Sequence, residues 1–202
     1  MELAREQVVS LKPLVIQHMR VQIIGTSPYM PEPMDWRVPE YYDKKKSKQV
    51  AEKDIRSEED KLKEKFYFTD DGNDGIPARA FYKAGKQGSR YIIERREGGM
   101  KKWVEGINIL GDILPLEFKE RVVKRHIGRE ASKGSSKGAP RLILRNAYID
   151  WSVTLDIEFN ASIISAEQII NILQYAGFHI GVGAFRKDCE GNFGLFKVAE
   201  QD

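Results

Sequence analysis

The side chains in this sequence that could do chemistry are mostly cations, and their spacing suits phosphate. Arg79, Lys83, Lys86 and Arg90 recur at intervals of four, three and four, with no acidic residue interleaved. At about 100° per residue they fall within about 60° of one helical face. Like charges four apart on a helix cost a few tenths of a kcal/mol, so the row is unfavourable until an anion lies along it. A phosphate backbone would compensate it, although a plain solvated face also accounts for the row. The second cluster is denser. Lys119, Arg121, Lys124, Arg125, Arg129, Lys133, Lys137, Arg141 and Arg145 set nine cations against Glu120 and Glu130 within 27 residues. Its centre, GREASKGSSKGAP, is rich in glycine and serine, from which phosphate-seeking side chains can adapt to an irregular strand. A solubilising surface loop is the plainer alternative. A third candidate is IGVGAFRKDCEGNFGLFKV, where Gly181 and Gly183 allow close backbone approach to a ligand and Arg186 adds a charge.

Other chemistries find no support. With one cysteine, Cys189, and three scattered histidines, neither a disulfide nor a soft-ligand metal site is expected. The segment around Gly181 fails the dinucleotide fingerprint, because Arg186 stands where the third glycine belongs. No P-loop pattern occurs, and DDGNDG has Phe81 where a calcium loop needs its last carboxylate. His126 sits among cations and could act as acid or base on RNA, but no partner is visible and a surface histidine is the plainer reading. No catalytic constellation, metal or cofactor is therefore expected.

The elements that must position these cations follow from pattern. Residues 14–25 read as a buried strand closed by Gly25. Prolines at 28, 31, 33 and 39 exclude regular structure in the next stretch, which carries Tyr29, Met30, Met34, Trp36, Tyr41 and Tyr42 as exposed anchors. A charged helix with a narrow seam of Ala51, Ile55, Leu62 and Phe66 follows, so residues 28–65 look like an insertion. Phe66–Thr69 is a short strand and DDGNDG a turn. Pro77 opens a helix whose apolar face is Phe81, Ala84, Gly85, Gly88, Tyr91 and Ile92, its glycines suiting close packing on a sheet. Residues 103–116 supply a strand or strand pair. Residues 119–145 form a basic hairpin, and 147–159 alternate strictly, predicting one long strand with Trp151 in the core and Tyr148 on the polar side. Ser165 and Gln168 form a capping box, Gly177 stops that helix, and FHIGVGAF and GLFKVA are two closing strands.

The chain has 202 residues and a mass of 23.2 kDa. Folding can bury roughly 70% of the surface of such a chain, so a single domain needs no staples. The net charge of +3 hides its distribution: residues 1–49 carry +2, 50–75 carry −4, 76–145 carry +10 and 146–202 carry −5. A concentrated positive region can bind a polyanion where an average cannot. No apolar run approaches the ~20 residues that span a bilayer, and the amino terminus lacks the order of a signal peptide. A cytoplasmic location without membrane contact is expected.

At the glycine segment a family resemblance enters. Glycines at 181, 183, 191 and 194 resemble the glycine-rich loop of the RAMP superfamily, ferredoxin-like proteins of CRISPR effectors. Backbone subunits of that group carry an insertion after the first strand and a protruding hairpin thumb, where this chain has 28–65 and 119–145. Residues 76–198 also resemble uncharacterised phage and prophage proteins. The shared runs are IPARAF, R-x-A-x-x-D-W from Arg145 to Trp151, ISAEQ, AGF-x-x-GVG-x-x-R and G-x-F-G-x-F-x-V. That group commonly has proline after the arginine, where this chain has Lys187.

The expectation is one α+β domain over 1–202, a ferredoxin-like, RRM- or RAMP-type antiparallel sheet with helices on one face. It would bind single-stranded DNA or RNA through Arg79, Lys83, Lys86, Arg90, the hairpin residues Arg121, Lys124, Arg125, Arg129, Lys133, Lys137, Arg141 and Arg145, and Gly181, Gly183 and Arg186. The resemblance implies copies lined up along a strand, in helical or filamentous self-association, in a host cytoplasm if phage-encoded. Two other classes stay open: a structural or protein-interaction component of a phage or mobile element, and a metal-independent RAMP-type endoribonuclease using His126.

Overall fold

A computed structural model describes residues 14–32, 62, 65–130, 139–187 and 191–200. The central layer is a four-stranded antiparallel sheet of β1 (Ile16–Gly25), β3 (Ile107–Ile109), β7 (Ser152–Asn160) and β8 (Phe196–Val198), ordered β3-β7-β1-β8. Period-two patterning decides its faces. Val21, Ile23, Val153, Leu155, Ile157 and Phe159 point into the core, while His18, Arg20, Gln22 and Thr154 point out. Two helices, α1 (Ala78–Ile92) and α3 (Ala166–His179), each connect strands that flank a third, antiparallel strand. A shorter helix, α2 (Gly99–Gly106), leads into β3.

Two smaller ladders complete the fold. β2 (Gly75–Pro77) pairs with β4 (Ile113–Pro115), and β5 (Glu120–Glu130) pairs with β6 (Ala139–Ile149) as a hairpin separate from the main sheet. β2 runs directly into α1, and β4 ends five residues before β5 begins. One short ladder therefore holds both the start of α1 and the root of the hairpin.

Several elements differ from expectation, each for a physical reason. The thirteen-residue strand is two: Asp150 adopts φ 49°, and β6 and β7 part there into different sheets. Trp151 holds the corner, its indole Nε1 donating to Ser27 O at 2.7 Å while its own carbonyl accepts from Gly25 N at 2.7 Å. The alternation holds on both sides of this corner but lapses just before it, where Tyr148 is fully buried rather than polar-facing and Ile149 is only half-buried. Residues 103–106 are helical, because Trp103 fills the core beside Gly85 and donates Nε1–H to Tyr82 O at 3.1 Å. Gly177 lies inside α3 and does not end it. A Cβ there would sit 2.1 Å from Phe196 O, so the glycine admits β8 against the helix. Residues 178–185 are the end of α3 and an irregular loop instead of a strand, and the strand at 66–69 reduces to one bridge, Phe68 to Asp74.

The capping box of α3 forms as read, with Ser165 Oγ accepting from Gln168 N at 3.2 Å. Pro77 sits one position earlier than expected, at the N-cap of α1. Tyr29 and Met30 are not exposed anchors; both are fully buried, and Tyr29 exchanges two backbone hydrogen bonds with Tyr148. Met34, Trp36, Tyr41, Tyr42 and the charged helix apart from Leu62 and Phe66 lie outside the described residues.

Candidate nucleic-acid interface

The α1 cations face outward because of what the opposite side of the helix packs on. A Cβ at Gly85 would lie 2.1 Å from the Trp103 ring, and one at Gly88 would lie 3.1 Å from Ile172 O. The glycines thus bring α1 against α2 and α3, two helices, where sheet contact was expected. Phe81 and Ala84 complete that buried face. Arg79, Lys83 and Arg90 are exposed and Lys86 is half-buried. Arg90 Nε donates to Met100 Sδ at 2.6 Å. Among the described residues none of the four cations makes an ion pair with a carboxylate.

The hairpin root treats its charge differently. Arg121 Nη1 lies 3.4 Å from Asp74 Oδ2, with its guanidinium 4.6 Å from the centre of the Phe66 ring. Asp74 also accepts from the Tyr148 hydroxyl at 2.9 Å, and its own carbonyl accepts from Leu116 N. Burial, then the hydrogen bond to Asp74 and the charge it carries, push the Tyr148 hydroxyl well above its ordinary range, against the lowering pull of Arg121. Arg145 is largely buried and donates from Nη2 to Glu32 Oε1 at 2.6 Å. These two arginines anchor the hairpin to the body. Lys124 is half-buried and Arg125 exposed, so the outward charge of the root rests on them.

Arg129 and Arg141 occupy register positions opposite Pro140 and Gly128. Their side chains, that of His126, and residues Lys133 and Lys137 lie outside the described part. Beside the root, Leu62, Phe66, Val123 and Leu144 line an open cleft of about 470 Å³ rimmed by Arg121, Arg125 and Asn146.

The glycine loop is filled by its own chain. Gly181 and Gly183 adopt φ 76° and 81°, which side chains rarely tolerate. A Cβ at Gly183 would sit 2.3 Å from Met30 O, and one at Gly181 would sit 3.0 Å from Gly194 O. The backbone that approaches these glycines closely is therefore that of residues 30 and 194. Arg186 Nη1 donates back to Gly183 O at 3.1 Å.

The open face of the main sheet is largely polar, and its arginine is paired. Arg20 Nε lies 2.7 Å from Asp156 Oδ1 and His18 Nε2 lies 3.6 Å from Glu158 Oε1. Asn108, Gln22, Ser152, Thr154 and Lys197 share it with the exposed Ile16 and Ile24, and no Phe, Tyr or Trp stands among its described residues.

Sequence reasoning assigned Tyr91 to the apolar face of α1 and Phe178 to a strand; both rings are exposed, at 69% and 63%. The readable signal was the run of aromatic residues at 175, 178 and 179, spacing that shares one helical face. Among the described residues no three His, Cys, Asp or Glu side chains gather as metal ligands would, and no helix is long and apolar enough to cross a membrane.

The arrangement is a mixed α/β fold with antiparallel sheets, and solved structures resemble it at low sequence identity. One is a chain of the type III-B Cmr-β complex, whose structure is described as bound to cognate target RNA. The two superpose with a TM-score of 0.55 at 12% identity, over 92% of this chain and 59% of that one. This chain thus spans about three-fifths of that relative's length. Cmr6 from Pyrococcus furiosus superposes with a TM-score of 0.43 at 10% identity, over 93% of this chain and 100% of that one. No protein-family model and no curated protein sequence matches the chain.

Proposed function

We propose that this chain is a single domain of ferredoxin-like topology that binds single-stranded nucleic acid through its phosphates and does no chemistry on it. The strand order β3-β7-β1-β8, with α1 and α3 each bridging a split strand pair, supports the topology. The observation that carries the function is the α1 row. Four cations run along one exposed helix without a carboxylate partner among the described residues, while Arg20, Arg121 and Arg145 are paired. Unpaired charge is the kind a polyanion can claim. The RAMP-like fold supports the same reading, as does the RNA named with the Cmr-β structure.

Lys124 and Arg125 add outward cations at the hairpin root, whose strand follows the β2–β4 ladder in the chain as α1 does. The open sheet face, charge-paired and without large aromatic rings, is an unlikely base platform by composition, so phosphate contacts along the helix and hairpin are favoured over base stacking on the sheet. In the same reading the chain is of phage or prophage origin, and copies line up along a long strand.

Fluorescence anisotropy with single-stranded RNA, single-stranded DNA and duplex of equal length tests it. Log affinity for single strands is expected to fall linearly with log salt, with a slope between about −2 and −5. A slope near zero overturns the reading and favours a protein-interaction role. Loss of full-length labelled RNA in the presence of chelator would make the chain a nuclease instead. Negative-stain microscopy on a long single strand tests the alignment, which randomly spaced monomers would overturn.

A further inference from the structure

The carboxy-terminal ends of α1 and α3 carry a row of aromatic rings that the phosphate reading does not use. Tyr91 stacks on Tyr175 with ring centres 5.2 Å apart and planes 22° from parallel. Tyr175 stacks in turn on His179 at 4.2 Å and 26°. Phe178 meets His179 edge-on at 4.9 Å, and Lys187 Nζ lies 4.1 Å from the centre of the Phe178 ring. Two turns of offset stacking are thus already built. Tyr91 is 69% exposed and Phe178 is 63% exposed. Large rings left this open on a soluble surface mark a binding site more often than a lone apolar residue does.

The surroundings decide what fits. Arg90, Gln87, Tyr91, Tyr175 and His179 line a cleft of about 380 Å³, with no carboxylate among the described residues of its walls. Arg90 belongs both to this cleft and to the α1 row, so the row of cations ends where the rings begin. A flat, electron-rich ring face next to a guanidinium matches one repeating chemistry: a planar base followed by a phosphate. An apolar protein partner would leave Arg90 without an anion.

We propose that Tyr91, with Tyr175, His179 and Phe178 behind it, is a nucleobase-stacking ledge, and that Arg90 takes the adjoining phosphate. The inference rests on the proposed function and adds to it. The strand is held by a base at the end of α1 as well as by its phosphates along the helix. Stacking of this kind is tolerant of sequence, because every base has a π face, and predicts a preference for purines over pyrimidines by stacking strength alone.

The test separates bases from phosphates. Anisotropy is measured with a fluorescein-labelled oligoadenylate and with an abasic strand of the same length, for the wild type, Tyr91→Ala, Tyr91→Phe and Lys83→Ala/Lys86→Ala. Tyr91→Ala is expected to weaken oligoadenylate binding about fivefold or more, to leave the abasic strand unchanged, and to keep the salt slope. Tyr91→Phe is expected to bind as the wild type does. The double lysine variant is expected to weaken both strands and flatten the slope. If Tyr91→Ala binds both strands as the wild type does, the ledge is overturned while the phosphate reading stands. Absence of wild-type binding to either strand overturns the phosphate reading first. Sedimentation showing that Tyr91→Ala dissociates a dimer of the free protein would make the rings a contact between copies, and would also overturn the ledge.

Discussion

The outer face of α1 and the open face of the main sheet both expose cations, yet they present fields of very different strength. On the sheet, Arg20 lies across a strand pair from Asp156 and is met at 2.7 Å, His18 faces Glu158 at 3.6 Å, and Lys197 alone has no carboxylate partner among the described residues. On α1, four cations follow one another with no carboxylate to meet them among the described residues. Charge count alone does not separate the two surfaces; pairing does. A paired surface is nearly silent at the distance of a phosphate, since its field cancels within a few ångströms and salt screens the remainder. Arg121 and Arg145 at the hairpin root belong with the sheet in this respect, although they lie in the most basic stretch of the chain.

The comparison can be broken most severely by emptying the helix. Replacing Arg79, Lys83, Lys86 and Arg90 together by Ala should lower affinity for single strands by about two orders of magnitude near 0.15 M salt and flatten the salt slope by about three units. Circular dichroism should show the fold intact, because the side chains removed are largely exposed. An unchanged slope would mean that the row is a solvated face and nothing more.

Next in size is a lesion beneath both surfaces. Gly177→Ala puts a methyl group 2.1 Å from Phe196 O and should destabilise the fold by about 1–3 kcal/mol, read as a lowered denaturant midpoint. Because the core under α3 and β8 is shared, binding and sheet integrity should fail together. A variant that lost one without the other would show the two faces to be independent units.

A smaller effect is expected at the hairpin root. Tyr148→Phe removes the hydroxyl that donates to Asp74 and should cost about 1 kcal/mol. Tyr148 has its ionisation raised in the folded chain, so the stability it lends is complete below about pH 10, the ordinary tyrosine value, and is lost as pH climbs above it. Urea midpoints measured across that range should fall less steeply in the variant than in the wild type. Equal slopes would remove Tyr148 from the account of alkaline unfolding.

The smallest change sharpens the comparison directly. Asp156→Asn strips Arg20 of its partner without touching α1. If pairing is what silences the sheet, the freed cation should raise affinity for single strands by at most roughly fourfold near 0.15 M salt. Arg20→Ala, by contrast, should leave affinity unchanged.

What could be read in the sequence was whatever depends on near neighbours. The alternation of β7 and the capping box at Ser165 are local, and they appear in the structure as read, whereas β1, read as a buried strand, buries only Val21 and Ile23 and exposes its other face. The helix carrying the cation row is also local, one residue shifted at Pro77. The misread elements depend on distant partners. Gly177 looks like a helix stop until β8, some twenty residues on, claims the space beside it. Tyr29 looks exposed in a proline-rich loop until Tyr148 hydrogen-bonds its backbone across the fold. The corner at Asp150 was hidden because alternation continues on both sides of it. The same distinction governs charge: cations can be counted locally, but Glu32 is 113 residues from Arg145 and Asp74 is 47 from Arg121.

That corner has a mechanical consequence. Eleven-residue strands leave it to form the hairpin, an arm of about 36 Å when extended. A pivot at its base moves the far end by about 0.6 Å for each degree of rotation at that length. The left-handed residue Asp150, with the indole of Trp151 fixed on Ser27 beside it and Tyr148 and Arg145 tied to Asp74 and Glu32 beyond it, therefore sets the direction in which the arm leaves the body. A few degrees of difference in that direction are an ångström-scale displacement at the arm's far end.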